Sequence, residues 1–331
     1  MTEATMWTIP EPLATFDVRI DASTVTTVRR YGNPSGPRLV LTHGNGLAAD
    51  LYYPFWSLLA DDFDLMVYDL RNHGWNEVGS QRDHNIPTLI FDHDIILDAI
   101  VREYGEKTTV GVFHSLSTLV ALLSFNDAYS ALVLFDPPLC KPASSELEFI
   151  EAAERTAAMT RRRTERFKSE EQYAEVLAIV PGFARVVPGV RDLMARSTLR
   201  ESADGNGYEL RCPRDYEAQI AEYVRSFSPL LDLSILICPT KVIGADPTLP
   251  YAYLPTFDLS HASAVDYDFV PQASHFLQLE QPAQCAAMVR EYLTGLGFRK
   301  AAHGDPEDET RARGPAYRSR DTSQWLRRWN G

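Results

Sequence analysis

Residues 108–125 read TTVGVFHSLSTLVALLSF. TTVGVF has the pattern of a short strand and SLSTLVALLSF that of a helix, so His114 and Ser115 fall at a strand-to-helix turn. Such a turn lifts its central residue clear of the sheet edge. The next residue's amide and the helix N-terminus then face the same point, ready to hold an oxyanion. Ser115 is therefore a candidate nucleophile, the plain alternative being a helix N-cap. The turn wants small residues two before and two after it; Ser117 fits and Phe113 does not. Making Ser117 the nucleophile instead would put Leu119 at a small-residue position.

The same alternation extends in both directions. Phe16–Ile20 and Val25–Tyr31 read as a hairpin, followed by the turn cluster GNPSGP. RLVLTHGNG is an apolar strand running into glycines, Leu51–Ala60 is helical in pattern, and FDLMVYDL is a strand. IPTLIFDHDIILDAIVREYG is an amphipathic helix with Pro87 in its first turn and Gly105 at its end. ALVLFD, CPTKVIGA and VDYDFV are further strands, and QPAQCAAMVREYLTGLG is a closing helix. Strands alternating with helices predict an α/β fold, a mostly parallel central sheet flanked by helices.

A serine needs a base at neutral pH. His275, in PQASHFLQLEQP after the strand VDYDFV, is the candidate. A carboxylate must fix its tautomer. Asp246, in KVIGADPT at the end of the preceding strand, is preferred; Asp136, ending ALVLFD, is the alternative acid. All of these lie at C-terminal strand ends, where open α/β sheets place ligands. The glycines of LTHGNG let the backbone approach a ligand, so the amides of Asn45 and Leu116 would form a two-donor oxyanion hole.

These pieces together resemble the α/β-hydrolase superfamily, in its serine-nucleophile, cap-containing branch. HGNG stands as the oxyanion loop, DLRNHGW as the loop after the next strand, FHSLS as the elbow, GADP as the acid loop and ASHFLQLEQP as the histidine loop. The resemblance implies an α/β-hydrolase core at 1–139 and 231–297, with a helical cap inserted at 140–230, where no convincing strand is read. Residues 298–331, rich in Arg, Pro and Gly, read as a tail without a core of its own. The implied activity is a serine hydrolase acting on a small carboxylic ester or lactone, with no cofactor. Cleavage of a carbon–carbon bond or a lyase reaction by the same residues, or a non-catalytic ligand-binding role, are the alternatives. Members with an aspartate nucleophile are disfavoured because Ser115 holds that place.

His43, Gly44, Gly46, Tyr53, Trp75, Phe113, His114 and Phe276 lie near the motifs and are pocket candidates. For His43 and His73 structural hydrogen bonding is preferred, and His93, on the apolar stripe of its helix, reads as a core histidine. Asp83, His84, Asp92, His93 and Asp94 are weighed as metal ligands, but His93 and its flanking aspartates lie on different faces of one helix, so no metal site is expected. The net charge of −13 argues against nucleic acid or an anionic membrane as partner, leaving a small-molecule substrate and the possibility of a homodimer. With no secretion signal read at the start, no apolar run long enough to span a bilayer, and four widely spaced cysteines, a cytoplasmic protein with reduced thiols is expected.

Overall fold

The computed structural model describes residues 6–124, 126, 128–139, 146–250, 253–255, 259 and 263–298. Cys140 and the tail from residue 299 lie outside the described residues. Phe298, expected to begin that tail, instead packs on the core and donates its amide to Leu293.

β1 (Ala14–Arg19) and β2 (Val25–Gly32) form the expected antiparallel hairpin. β3 (Arg38–Leu41) leads through a loop and a short helical stretch, α1 (Tyr53–Trp56), to β4 (Asp64–Val67). α2 (Ile86–Tyr104) starts where the Asn85 side chain accepts from the Thr88 amide, and it ends at Gly105, whose φ of 76° suits glycine. β5 (Thr109–His114), α3 (Leu116–Leu123) and β6 (Ala131–Phe135) follow. Every residue of β3, β4, β5 and β6 is buried, as strands covered on both faces require.

The chain then leaves the sheet. α4 (Glu146–Arg162), β7 (Arg166–Phe167), α5 (Glu170–Ala178), α6 (Val190–Thr198), β8 (Leu199–Glu201), β9 (Tyr208–Leu210) and α7 (Arg214–Phe227) intervene before β10 (Thr240–Gly244). β7, β9 and β8 make a small antiparallel sheet, a correction to the strand-free reading of this stretch. Strands of two or three residues are too short to show a period of two. β11 (Asp266–Phe269), α8 (Leu277–Glu280) and α9 (Pro282–Gly295) complete the fold.

The main sheet has the order β1-β2-β4-β3-β5-β6-β10-β11. β2 runs antiparallel to β1 and β4, and the pairings from β4 to β11 are parallel. The C-terminal ends of β3, β5, β6, β10 and β11 therefore open on one side, and the α4–α7 segment lies over it. No helix among the described residues is long and apolar enough to cross a membrane.

Candidate active site

β5 delivers Ser115 with φ 53° and ψ −117°, a conformation costly for any residue with a side chain. Neighbouring bonds hold it there. The Ser115 amide donates to Phe135 O at 3.0 Å, and the Ser117 hydroxyl bridges the amide and carbonyl of His114 at 3.0 and 2.9 Å. Phe113 is accommodated because Gly111, two residues earlier on the same face of β5, leaves room for its ring. A Cβ at Gly111 would stand 2.3 Å from Phe113 Cε2. The small residue that the turn needs is present, displaced by two.

His275 Nε2 lies 3.0 Å from Ser115 Oγ, and its Nδ1 lies 2.6 Å from Oδ2 of Asp136. A carboxylate on Nδ1 fixes the proton there and turns the Nε2 lone pair to the serine. Of the two aspartates weighed, Asp136 stands beside His275, not the preferred Asp246. Asp246 does not take that position: its Oδ1 accepts from the Thr248 amide and hydroxyl at 2.9 and 2.7 Å, and its Oδ2 from the Gln272 amide at 2.7 Å. Those bonds hold its carboxyl below the ordinary carboxylate range. Asp136 is aimed by its own backbone, at φ 40°, and its second oxygen accepts from the Ala245 amide at 3.2 Å.

The loop after β3 is secured by neutral histidines. His43 Nδ1 donates to Gly44 O at 2.7 Å while Nε2 accepts from Leu70 N at 3.1 Å. His73 Nδ1 donates to Arg71 O, and its Nε2 accepts from Gly46 N at 3.0 Å. Burial pushes both rings below the ordinary histidine value. The amides of Gly44, Gly46 and Leu47 thus have acceptors in Tyr52 Oη, His73 Nε2 and Gly44 O. Asn45 N finds none among the described residues. Leu116 N, first in α3, has no intrahelical acceptor by position. Asn45 and Leu116 both line the cavity beside Ser115.

That cavity holds about 290 Å³. Gly44, Asn45, Gly46, His114, Ser115, His275 and Phe276 form its floor. Its roof is largely apolar, with Met159, Phe167, Leu177, Phe183, Met194 and Val224 among the side chains. One ion pair interrupts it: Arg163 grips both carboxylate oxygens of Glu217. The Glu217 carbonyl accepts from Asn45 Nδ2 at 2.8 Å, and its carboxylate lies where a Cβ on Gly46 would be, 2.3 Å from Oε2. Arg163 shows in the sequence only as part of the basic run at 161–163, and Glu217 gives no motif, because their partners are remote in the chain.

Four pocket candidates do not line the cavity. His43 lies behind the loop that it holds. Tyr53 packs on Trp7 and Trp56. Trp75 is half exposed, with its indole N–H on Asp50 and the Arg29 guanidinium 4.5 Å above its ring. Phe113 faces the far side of the sheet, edge-on to His93 and Tyr129. There His93 Nδ1 lies 2.6 Å from the Tyr68 hydroxyl and Nε2 2.8 Å from that of Tyr129, one nitrogen accepting and the other donating, a satisfied core histidine.

The residues weighed for metal are engaged separately, Asp92 with Arg71 and Asp94 with Ser124. His84 instead meets His73 and Cys212, with ligand atoms within 4.8 Å of one another. Their hydrogen bonds do not suit a metal. A ligating imidazole donates from its other nitrogen, whereas His84 Nδ1 faces the donor Nδ2 of Asn72 at 3.0 Å, the Asn72 oxygen being held by Gly79 N.

A sequence model of the alpha/beta hydrolase family matches residues 39–288. The chain belongs to that family. No curated protein sequence matches this alpha/beta hydrolase. Solved structures do. E-2-(acetamidomethylene)succinate hydrolase is 17% identical, with 85% of this chain and 99% of that one covered and a TM-score of 0.67. The peroxisomal alpha-beta-hydrolase Lpx1 from Saccharomyces cerevisiae is 14% identical, with 96% and 95% covered and a TM-score of 0.65. A malate-bound thermophilic esterase from Thermogutta terrifontis is 17% identical, with 86% and 99% covered and a TM-score of 0.57. At these identities the likeness is one of fold.

Proposed function

We propose that this alpha/beta hydrolase is a serine hydrolase of small, largely apolar carboxylic esters or lactones, and that residues 140–230 act as its substrate-selecting cap. One observation carries the reading: a continuous Ser115–His275–Asp136 hydrogen-bond chain on the floor of an apolar cavity. Ser115 Oγ passes its proton to His275 Nε2 as it attacks the acyl carbonyl. The developing oxyanion is held by the amides of Asn45 and Leu116. The tetrahedral adduct collapses, His275 returns the proton to the leaving alkoxide, and an acyl-Ser115 ester remains. Water, deprotonated by His275, attacks that ester; His275 then returns the proton to Ser115 Oγ as the acyl–oxygen bond breaks and the acid leaves. Asp136 keeps the His275 proton on Nδ1 and stabilises the imidazolium formed in each half. The roof side chains favour an acyl or alkyl group without charge, since the one ion pair there is internally neutralised.

Intact mass after treatment with a small fluorophosphonate tests the reading. One adduct is expected on the wild type and none on Ser115→Ala. A folded wild type that takes no adduct, or a Ser115→Ala variant that still takes one, overturns it.

A further inference from the structure

The site draws on two loops that approach Ser115 from different strands. The loop after β3 carries Asn45, and the loop after β11 carries His275. A buried chain of hydrogen bonds joins them beneath the serine. His114 Nε2 lies 2.8 Å from the His275 carbonyl. A carbonyl only accepts, so Nε2 bears the ring proton. Nδ1 then offers its lone pair, and the Tyr52 hydroxyl donates to it at 2.6 Å. The same hydroxyl oxygen accepts from the Gly44 amide at 3.3 Å. Every member of this chain has one permitted role.

We propose that His114 and Tyr52 are positioning residues that lock the oxyanion loop to the loop of the base, fixing the Asn45 amide and His275 Nε2 relative to Ser115. The inference rests on the serine-hydrolase reading. Both ring nitrogens of His114 are occupied by this chain, so His114 is not free to serve as a second base. His114 is 1% exposed and Tyr52 5%, which leaves little water to replace a lost partner. The loop also presses directly on the ring: a Cβ on Gly44 would stand 2.9 Å from His114 Nδ1 and 3.3 Å from Ser115 Cβ. Burial, with the His275 ring beside it, pushes His114 down to about 3, so it stays neutral at working pH.

Tyr52→Phe removes the shared hydroxyl and keeps the ring. His114→Ala removes both bonds, while His114→Gln keeps an N–H able to reach the His275 carbonyl. The readouts are kcat and KM on an ester, the His114 tautomer by ¹⁵N NMR, and hydrogen exchange of the Gly44 amide. Folded Tyr52→Phe should lose about tenfold to a hundredfold in kcat, with KM changed by about twofold or less. Its Gly44 amide should exchange faster, and His114→Gln should retain more activity than His114→Ala. A folded Tyr52→Phe with wild-type kcat overturns the proposal, as does equal loss in the two His114 variants. A His114 proton on Nδ1, or Gly44 exchange unmoved by Tyr52→Phe, overturns it whatever the activity. A wild type that binds no fluorophosphonate and cleaves no ester sinks the serine-hydrolase reading instead, and the NMR and exchange results still decide whether the two loops are tied.

Discussion

Two aspartates stand just beyond the ends of parallel strands, Asp136 after β6 and Asp246 after β10, and they do different work. At the closed end the Asp136 side chain is 6% exposed, with one oxygen on the Ala245 amide and the other on His275. At the open end Asp246 is partly exposed and spends both oxygens on Thr248 and Gln272, clipping the histidine loop from outside. A carboxylate that orients a base must be shielded from water and still have an oxygen to spare. Place in the chain does not distinguish the two. Burial and backbone direction do.

Asp136→Asn puts the largest strain on this contrast. The amide keeps the shape but presents an N–H to His275 Nδ1, favouring the tautomer whose Nε2–H faces Ser115. A loss of about 10⁴-fold in kcat is expected in a protein that still folds, read from ester kinetics and a thermal melt. A loss of only a few fold would mean that Asp136 is not the orienting acid and would erase the distinction between the strand ends.

Much of the candidate site was legible because its groups sit at strand ends that hydrophobic patterning marks. Ser115, His275 and the loop containing Asn45 all follow apolar runs. Which aspartate stands beside His275 was not legible, since both satisfy the chain order and only a φ of 40° turns Asp136 inward. Phe113 looked discordant because the compensating Gly111 lies outside the five-residue elbow pattern. Tyr52 was hidden beside Tyr53, and only the rotation between adjacent helical residues decides which ring faces the loop. Arg163 and Glu217 meet across 54 residues, and that pairing could be found only in three dimensions.

Acid should act first through the buried histidines. His43, His73, His84, His93 and His114 are buried with values lowered by burial, to about 4 for His84 and about 3 for His93 and His114. Their unfolded value is 6.5, so between 6.5 and these lowered values the unfolded chain binds protons that the native state refuses. Stability is fully present above pH 6.5 and is lost as pH falls through the window between 6.5 and the lowered folded values. Melting temperature should therefore drop several degrees from pH 6.5 to 4.5, and His93→Phe should flatten that slope while lowering the melt at pH 7. An equal slope in the variant would show that His93 titrates freely in the native protein.

Gly111→Ala tests the packing that aims Ser115. The new methyl meets Phe113 Cε2 at 2.3 Å and Leu132 Cδ2 at 2.8 Å, and Phe113 cannot swing away because His93 and Tyr129 brace its edges. Overpacking of this kind costs about 1–3 kcal/mol, to be read from denaturant midpoints. Pairing it with Phe113→Leu should recover part of the loss. If the double variant is no better than Gly111→Ala, the two residues are not exchanging volume.

Asp246→Asn should do least, and that small effect is what separates the strand ends. Its oxygens brace Gln272, three residues before His275, so the substitution loosens the loop without touching the ring. The Asn carbonyl can still accept from Thr248, and water reaches the site to replace the lost bond to Gln272. Stability should fall by about 1 kcal/mol or less, with kcat within about threefold of wild type. A loss comparable to that of Asp136→Asn would mean that the histidine loop depends on its outer clip as much as on its inner carboxylate, and that the acid is shared between the two ends.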